Sequence, residues 1–278
     1  MIQADFHVHT DFSNDCSVSA EMQIESAIKQ GLKYICITDH CDMHLYFDKK
    51  YILDINSYFN KINTLKEKYK DRINVLCGVE IGLQPNLKEA IQNNISGYDF
   101  DFIIGSSHAV NNVDIGYKSD KYFIGKSEKE AYREYFESIL ENVKTFDNYS
   151  VYGHLDYVVR YGPNKNKHFD FNDYRDVFEE ILRTIIRNGK GIEINTAGLR
   201  NNLGYPHPHK DILKMYKDLG GKIITIGSDA HRTEHIGYGF QDIPELLREL
   251  GFKCYTVFER QLPKFLDLWK EKLTMLNF

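Results

Sequence analysis

Short β-rich apolar runs alternate along this chain with longer stretches of helical period. Runs rich in Val, Ile, Phe and Tyr predict strands at 4–8, 34–38, 74–81, 102–106, 151–153, 191–195 and 222–226, with a weaker one at 253–257. Between them, helices are expected near 20–30, 55–70, 86–95, 128–145, 172–188, 209–219, 241–250 and 263–275. In the second of these, Ile55, Tyr58, Phe59, Ile62, Leu65 and Tyr69 recur at helical spacing, the stripe of a helix packed on a core. Ser127-Glu128-Lys129-Glu130 reads as a capping box. Gly31 and Gly189 stand where a helix end needs a left-handed residue.

Composition removes several classes. A chain of 278 residues, 42% hydrophobic and 27% charged, is ordinary globular material. Thirty-five Lys and Arg against 40 Asp and Glu give a net charge of −5, which weighs against a partner as basic-seeking as a long nucleic acid. The five cysteines, 16, 36, 41, 77 and 254, form no C-x-x-C pair and leave one over, arguing for a reducing compartment. The N-terminus has no basic-then-apolar leader, and no apolar run nears the ~20 residues of a membrane span, so a cytoplasmic setting is expected. The oligomeric state is not legible.

Alternating strands and helices leave two architectures, a barrel or an open doubly wound sheet. A dinucleotide-binding sheet wants a glycine-rich turn after its first strand, and residues 7–15 here contain no glycine. Polar residues at the strand ends favour the barrel. His7 and His9 end the first strand, His40 the second, Glu80 the third, His108 the fourth and His154 the fifth. Asn195 ends the sixth, and Asp229 and His231 follow the seventh. In a parallel barrel all these ends open on one face. His7-Val8-His9 alone is a weak signal, but two imidazoles two residues apart on a strand project together and chelate a borderline metal well. Eight metal-competent residues at successive strand ends point to a metal site.

These residues fall in recognisable motifs: D-F-H-V-H-T at 5–10, T-D-H at 38–40, G-V-E at 78–80 and S-H at 107–108. G-H-L-D at 153–156 and G-S-D-A-H at 227–231 complete the set. With them the chain resembles the PHP (polymerase and histidinol phosphatase) family over essentially its whole length. The resemblance implies one α/β domain over 1–278, a distorted (β/α)7 TIM-like barrel with a multinuclear metal site at the C-terminal ends of its strands. Amidohydrolases share the barrel and the opening H-x-H but typically carry a carboxylated Lys where His108 stands, so phosphoester chemistry is the better reading. The length and the 153–200 region are most similar to stand-alone histidinol-phosphate phosphatases, which implies hydrolysis of L-histidinol phosphate. Other PHP substrates, namely nucleotides, phosphotyrosine or nucleic-acid ends, are the alternative. A non-catalytic metal-binding module fits less well, because every ligand position holds a competent residue.

Carried over by position, the resemblance implies two to three divalent transition metals, zinc, iron or manganese. His7, His9, Glu80 and Asp229 would take the first, and Glu80 would bridge to a second held by His108 and His154. Asp15, His40 and His231 would take the third. Catalytic roles fall to Glu80, Asp229 and His231, with a metal-bridging hydroxide as nucleophile and Asp229 or His231 as proton donor. A phosphate dianion also wants fixed guanidinium groups, and Arg160 and Arg200 follow strand ends. Asp42, Asp114 and Tyr117 are candidates to line the organic half of the substrate. Cys41, beside His40, is not expected to be a nucleophile, since no phosphate loop follows it. His44, His168, His207, His209 and His235 carry no assigned role.

Overall fold

A computed structural model describes residues 1–45, 48 and 51–268. Its parallel strands are β1 (Ala4–Val8), β2 (Tyr34–Ile37), β3 (Asn74–Gly82), β4 (Phe102–Ser106), β5 (Val151–Tyr152), β6 (Gly191–Asn195) and β7 (Ile224–Gly227). Each pairs with the next in chain order, and all six pairings are parallel. Beyond β7 the chain returns to β1: His9 N–H donates to the Ala230 carbonyl at 2.9 Å, beside a Val8–Ala230 bridge. The result is a nearly closed barrel of seven strands, as expected.

Helices α1 (Ala20–Lys29), α2 (Ile55–Tyr69), α3 (Lys88–Ile95), α4 (Glu128–Thr145), α5 (Arg175–Arg187), α6 (Lys210–Asp218) and α7 (Ile243–Glu249) connect the strands. Ile24, Ile62, Ile91, Ile139, Leu182, Ile212 and Leu247, one from each, are fully buried against the barrel. The capping box at Ser127 and Glu130 forms as predicted, and Ser19 and Asp54 cap α1 and α2. Gly31 and Gly189 take positive φ values of 74° and 68° just past α1 and α5, conformations that cost glycine little.

One expected helix is not there. Residues 262–267 form a strand, β9 (Leu262–Asp267), antiparallel to β8 (Cys254–Glu259), while 269–278 lie outside the described residues. Leu262, Phe265 and Leu266 fit a helical spacing, but antiparallel pairing with Cys254–Glu259 makes a strand of this segment instead. Arg260 and Gln261, both at positive φ, make the tight two-residue turn that puts β9 on β8. The hairpin packs under the barrel: Thr256 Oγ1 accepts from Ile224 N–H at the start of β7, and Gln261 N–H donates to the Asp101 carbonyl just before β4. The opposite end, where the strands finish, is left free for side chains.

Candidate metal centre

The strand ends deliver their polar residues to one mouth. A bulge in the β1–β2 pairing between Asp5 and Val8 re-aims the end of β1, and His7 and His9 both reach the Glu80 side chain at the end of β3. His40 extends β2 with a short parallel pairing to Glu80. His108 and His154 arrive just beyond β4 and β5. Past β7, Asp229 takes a positive φ of 53° and turns its carboxylate inward.

Glu80 lies at the centre, fully buried, and its two oxygens face different partners. Oε2 lies 3.2 Å from His7 Nε2, 3.6 Å from His9 Nε2 and 2.9 Å from His40 Nδ1. Oε1 lies 3.0 Å from His154 Nε2 and 3.2 Å from His108 Nε2, and accepts from Ser106 Oγ at 2.7 Å. Asp229 Oδ1 stands 3.5 Å from His9 Nε2 and 3.9 Å from His7 Nε2. Asp15 Oδ2 stands 3.6 Å from His40 Nε2 and 3.3 Å from His231 Nε2. All nine sequence-predicted ligand candidates therefore meet in one cluster, including the loop residue Asp15.

The cluster fits cations. Buried polar atoms normally find hydrogen-bond partners, and each one left without costs about 1–3 kcal/mol. Here His7 Nε2, His9 Nε2, His40 Nδ1 and Glu80 Oε2 are buried without one, all turned toward a common space. Among the described residues, four sets of three have donor atoms close enough to share an ion: His9, His40 and His231; His7, His9 and Asp229; His7, Glu80 and His154; His40, Glu80 and His108. Mixed imidazole and carboxylate donors suit zinc, iron or manganese.

Electrostatics run the same way. Burial opposes ionisation of Glu80 and Asp229, yet the surrounding imidazoles hold both well below the carboxylate range. Burial also opposes charging His7, but Glu193, Glu80 and Asp229 push its pKa well above the usual value. His9 is held well below it, by burial and then by His231 and His40.

The remaining candidates take distinct places. Arg160 ends a helical turn (Tyr157–Arg160) after β5 and stacks on Tyr157 and Tyr161, 4.5 and 5.0 Å from the ring centres. One of its nitrogens stands 3.7 Å from Asp229 Oδ2. Arg200 ends the short helix Ala197–Arg200 and donates to the Ser228 and Asp229 carbonyls at 2.6 and 2.9 Å, so part of its guanidinium braces the end of β7. Asp42 turns its carboxylate to His108 Nδ1, at 2.9 and 3.1 Å, while still lining the cleft over the cluster. Asp114 accepts from Tyr117 N–H at 2.7 Å and lies 3.0 Å from His44 Nε2, which gives His44 a place behind it. Tyr117, 52% exposed, sits at the rim.

His207 pairs with Asp156 at 2.6 Å, away from the cluster, and His209 caps α6. His168 is exposed, and His235 lines a second cleft with Arg160 and Arg200. Cys41 is fully buried. Cys16 comes nearer than sequence suggested, with its thiol against the His9 and His231 carbonyls and its pKa pushed up to about 11 by burial.

Sequence reasoning missed the carboxylates beneath the mouth. Asp39 accepts from Thr10 and Ser13, and Asp5 accepts from Ser228 and Gly237. Glu193 lies 2.6 Å from His7 Nδ1. The signal for Asp5 and Glu193 was an acid inside a strand, two residues before His7 and Asn195, and for Asp39 its place directly before His40.

A seven-stranded parallel barrel with imidazoles and carboxylates from successive strands at its mouth defines a metal-centre barrel of the PHP type. The chain belongs to the PHP family: residues 5–197 match the PHP domain. It is 34% identical to the histidinol-phosphatase of Lactococcus lactis, over 91% of this chain and 93% of that one. A probable histidinol-phosphatase of Clostridium acetobutylicum is 32% identical, over 94% and 98%. The crystal structure of the L. lactis histidinol phosphate phosphatase, complexed with zinc, L-histidinol and phosphate, superposes with a TM-score of 0.85 at 33% identity, covering 94% of this chain and 98% of that one.

Proposed function

We propose that this chain is a metal-dependent phosphomonoesterase that hydrolyses L-histidinol phosphate to L-histidinol and phosphate. The observation that carries the reading is the near-complete structural correspondence with the L. lactis enzyme, whose structure holds zinc, L-histidinol and phosphate. The five cysteines, none of them in a disulfide, suit a reducing cytoplasm.

His7, His9, Glu80 and Asp229 would hold one metal ion, Glu80, His108 and His154 a second, and Asp15, His40 and His231 a third. The split of Glu80, with Oε2 toward the first set and Oε1 toward the second, supports a bridging role. Divalent ions held there supply Lewis acidity, which makes bound water a better nucleophile and draws charge from phosphoryl oxygens.

The rest of the work falls to the chain. Arg160, stacked between two tyrosines, presents a guanidinium that is already desolvated and oriented for a phosphate oxygen. Arg200 adds the N–H groups left over from its backbone contacts. The ammonium and imidazole of the substrate would lie in the cleft of Asp42, Asp114, Tyr117, Tyr157 and Tyr161, where a carboxylate meets aromatic faces. Asp229 or His231, both at the edge of the cluster, would relay a proton from bound water to the departing alkoxide.

The test is kcat/KM of metal-loaded protein on histidinol phosphate, AMP, phosphotyrosine and a short single-stranded oligonucleotide. A preference of more than about tenfold for histidinol phosphate is expected, and a smaller one overturns the substrate assignment.

A further inference from the structure

We infer that Glu193, which lies outside the ligand cluster, is a positioning residue that holds His7 as an Nδ1–H imidazole with Nε2 left for a metal ion. The inference rests on the metal-centre reading and deepens it.

Glu193 sits on β6, 1% exposed, and its two oxygens meet three donors. Oε1 lies 2.6 Å from His7 Nδ1, while Oε2 accepts from His154 N–H at 3.1 Å and Asn195 Nδ2 at 3.2 Å. A neutral imidazole has one donor nitrogen and one acceptor, so a carboxylate on Nδ1 obliges Nε2 to be the acceptor. That Nε2 is buried, has no hydrogen-bond partner and faces Glu80 and Asp229. The neighbouring strand makes room for the pair. A Cβ on Gly227 would stand 2.3 Å from Glu193 Oε1 and 2.4 Å from His7 Cβ, so any side chain there would force the two apart.

Glutamine cannot replace this carboxylate. With its oxygen toward His7, its NH₂ faces the two remaining donors. Turned round, it donates to His7 Nδ1 and puts the imidazole proton on Nε2, where it blocks a metal.

The test is zinc affinity, by competition with a chelator, for the wild-type chain and E193Q. Loss of such an outer partner typically weakens metal binding about 10–100-fold, and a weakening of that order is expected for E193Q. A purely structural Glu193 would lower the thermal midpoint of the metal-free variant but leave the zinc affinity of the folded protein unchanged, and that result overturns the inference. Nitrogen-15 NMR of the zinc-loaded wild-type chain gives a second readout that does not depend on E193Q folding. Zinc on His7 Nε2, with a slowly exchanging downfield proton on Nδ1, is expected, and zinc on Nδ1 overturns the inference. A wild-type chain that takes up no divalent metal overturns the metal centre itself, and the inference with it.

Discussion

A carboxylate with no solvent exposure and five imidazoles within 3.6 Å gives Glu80 a role that no neighbour can assume. E80A leaves those rings facing one another across an empty space. It is expected to lower both metal content, read by elemental analysis, and turnover by more than the ~10–100-fold that an outer partner costs. A fully active E80A would sink the bridging role. The cysteines make the opposite case. Cys41 is sealed from the cleft and the Cys16 thiol resists ionisation, so a chain with all five cysteines replaced is expected to keep its activity. A folded, metal-loaded but inactive variant would reopen covalent catalysis.

The two arginines differ in the elements that carry them. Arg160 ends a turn whose aromatic residues hold its plane, whereas Arg200 is tied to the backbone just after β7, where Asp229 bends through positive φ. R160A is therefore expected to raise KM for phosphate esters with metal content unchanged. R200A is expected to raise KM and also to lower the thermal midpoint, since each lost bond from a charged donor is worth about 1.5–3 kcal/mol. Unchanged stability in R200A would return that residue to phosphate binding alone. At this scale most of the fold could be read in advance, because strands β1 to β7 carry apolar runs ended by ligand-type residues. Strand β9 could not, because Leu262, Phe265 and Leu266 read at helical spacing and only pairing with β8, itself expected, makes a strand of them. Within the site, residues that point outward from strand ends were visible as motifs. The roles of Asp5, Asp39 and Glu193 were not: the first two stand inside recognisable motifs and Glu193 in none, but the partners that define what each does lie up to 223 residues away in sequence.

Across the whole molecule, the mouth concentrates charge that a metal-free chain must balance with protons. Despite burial, Asp42 and Glu80 raise the pKa of His108 to about 10. A raised pKa adds stability that is complete below the ordinary value near ~6.5 and is lost as pH climbs through the raised one. The metal-stripped chain is thus expected to lose thermal stability between about pH 7 and 10. Metal binding needs neutral imidazoles, so loading should release protons and tighten as pH rises. Thermal midpoints with and without chelator across that range, and calorimetry in buffers of different ionisation heat, check both.

The barrel floor has a practical use as well. Gln3 N–H donates to the Tyr255 hydroxyl, so the first residues of the chain and hairpin β8–β9 lie side by side on the face opposite the mouth. Met1 and Leu262 are 79% and 67% exposed there. A tether placed before Met1 would anchor the molecule to a bead or electrode with its open end turned to the solution, and a label at Leu262 would report from a surface that no substrate needs to cross.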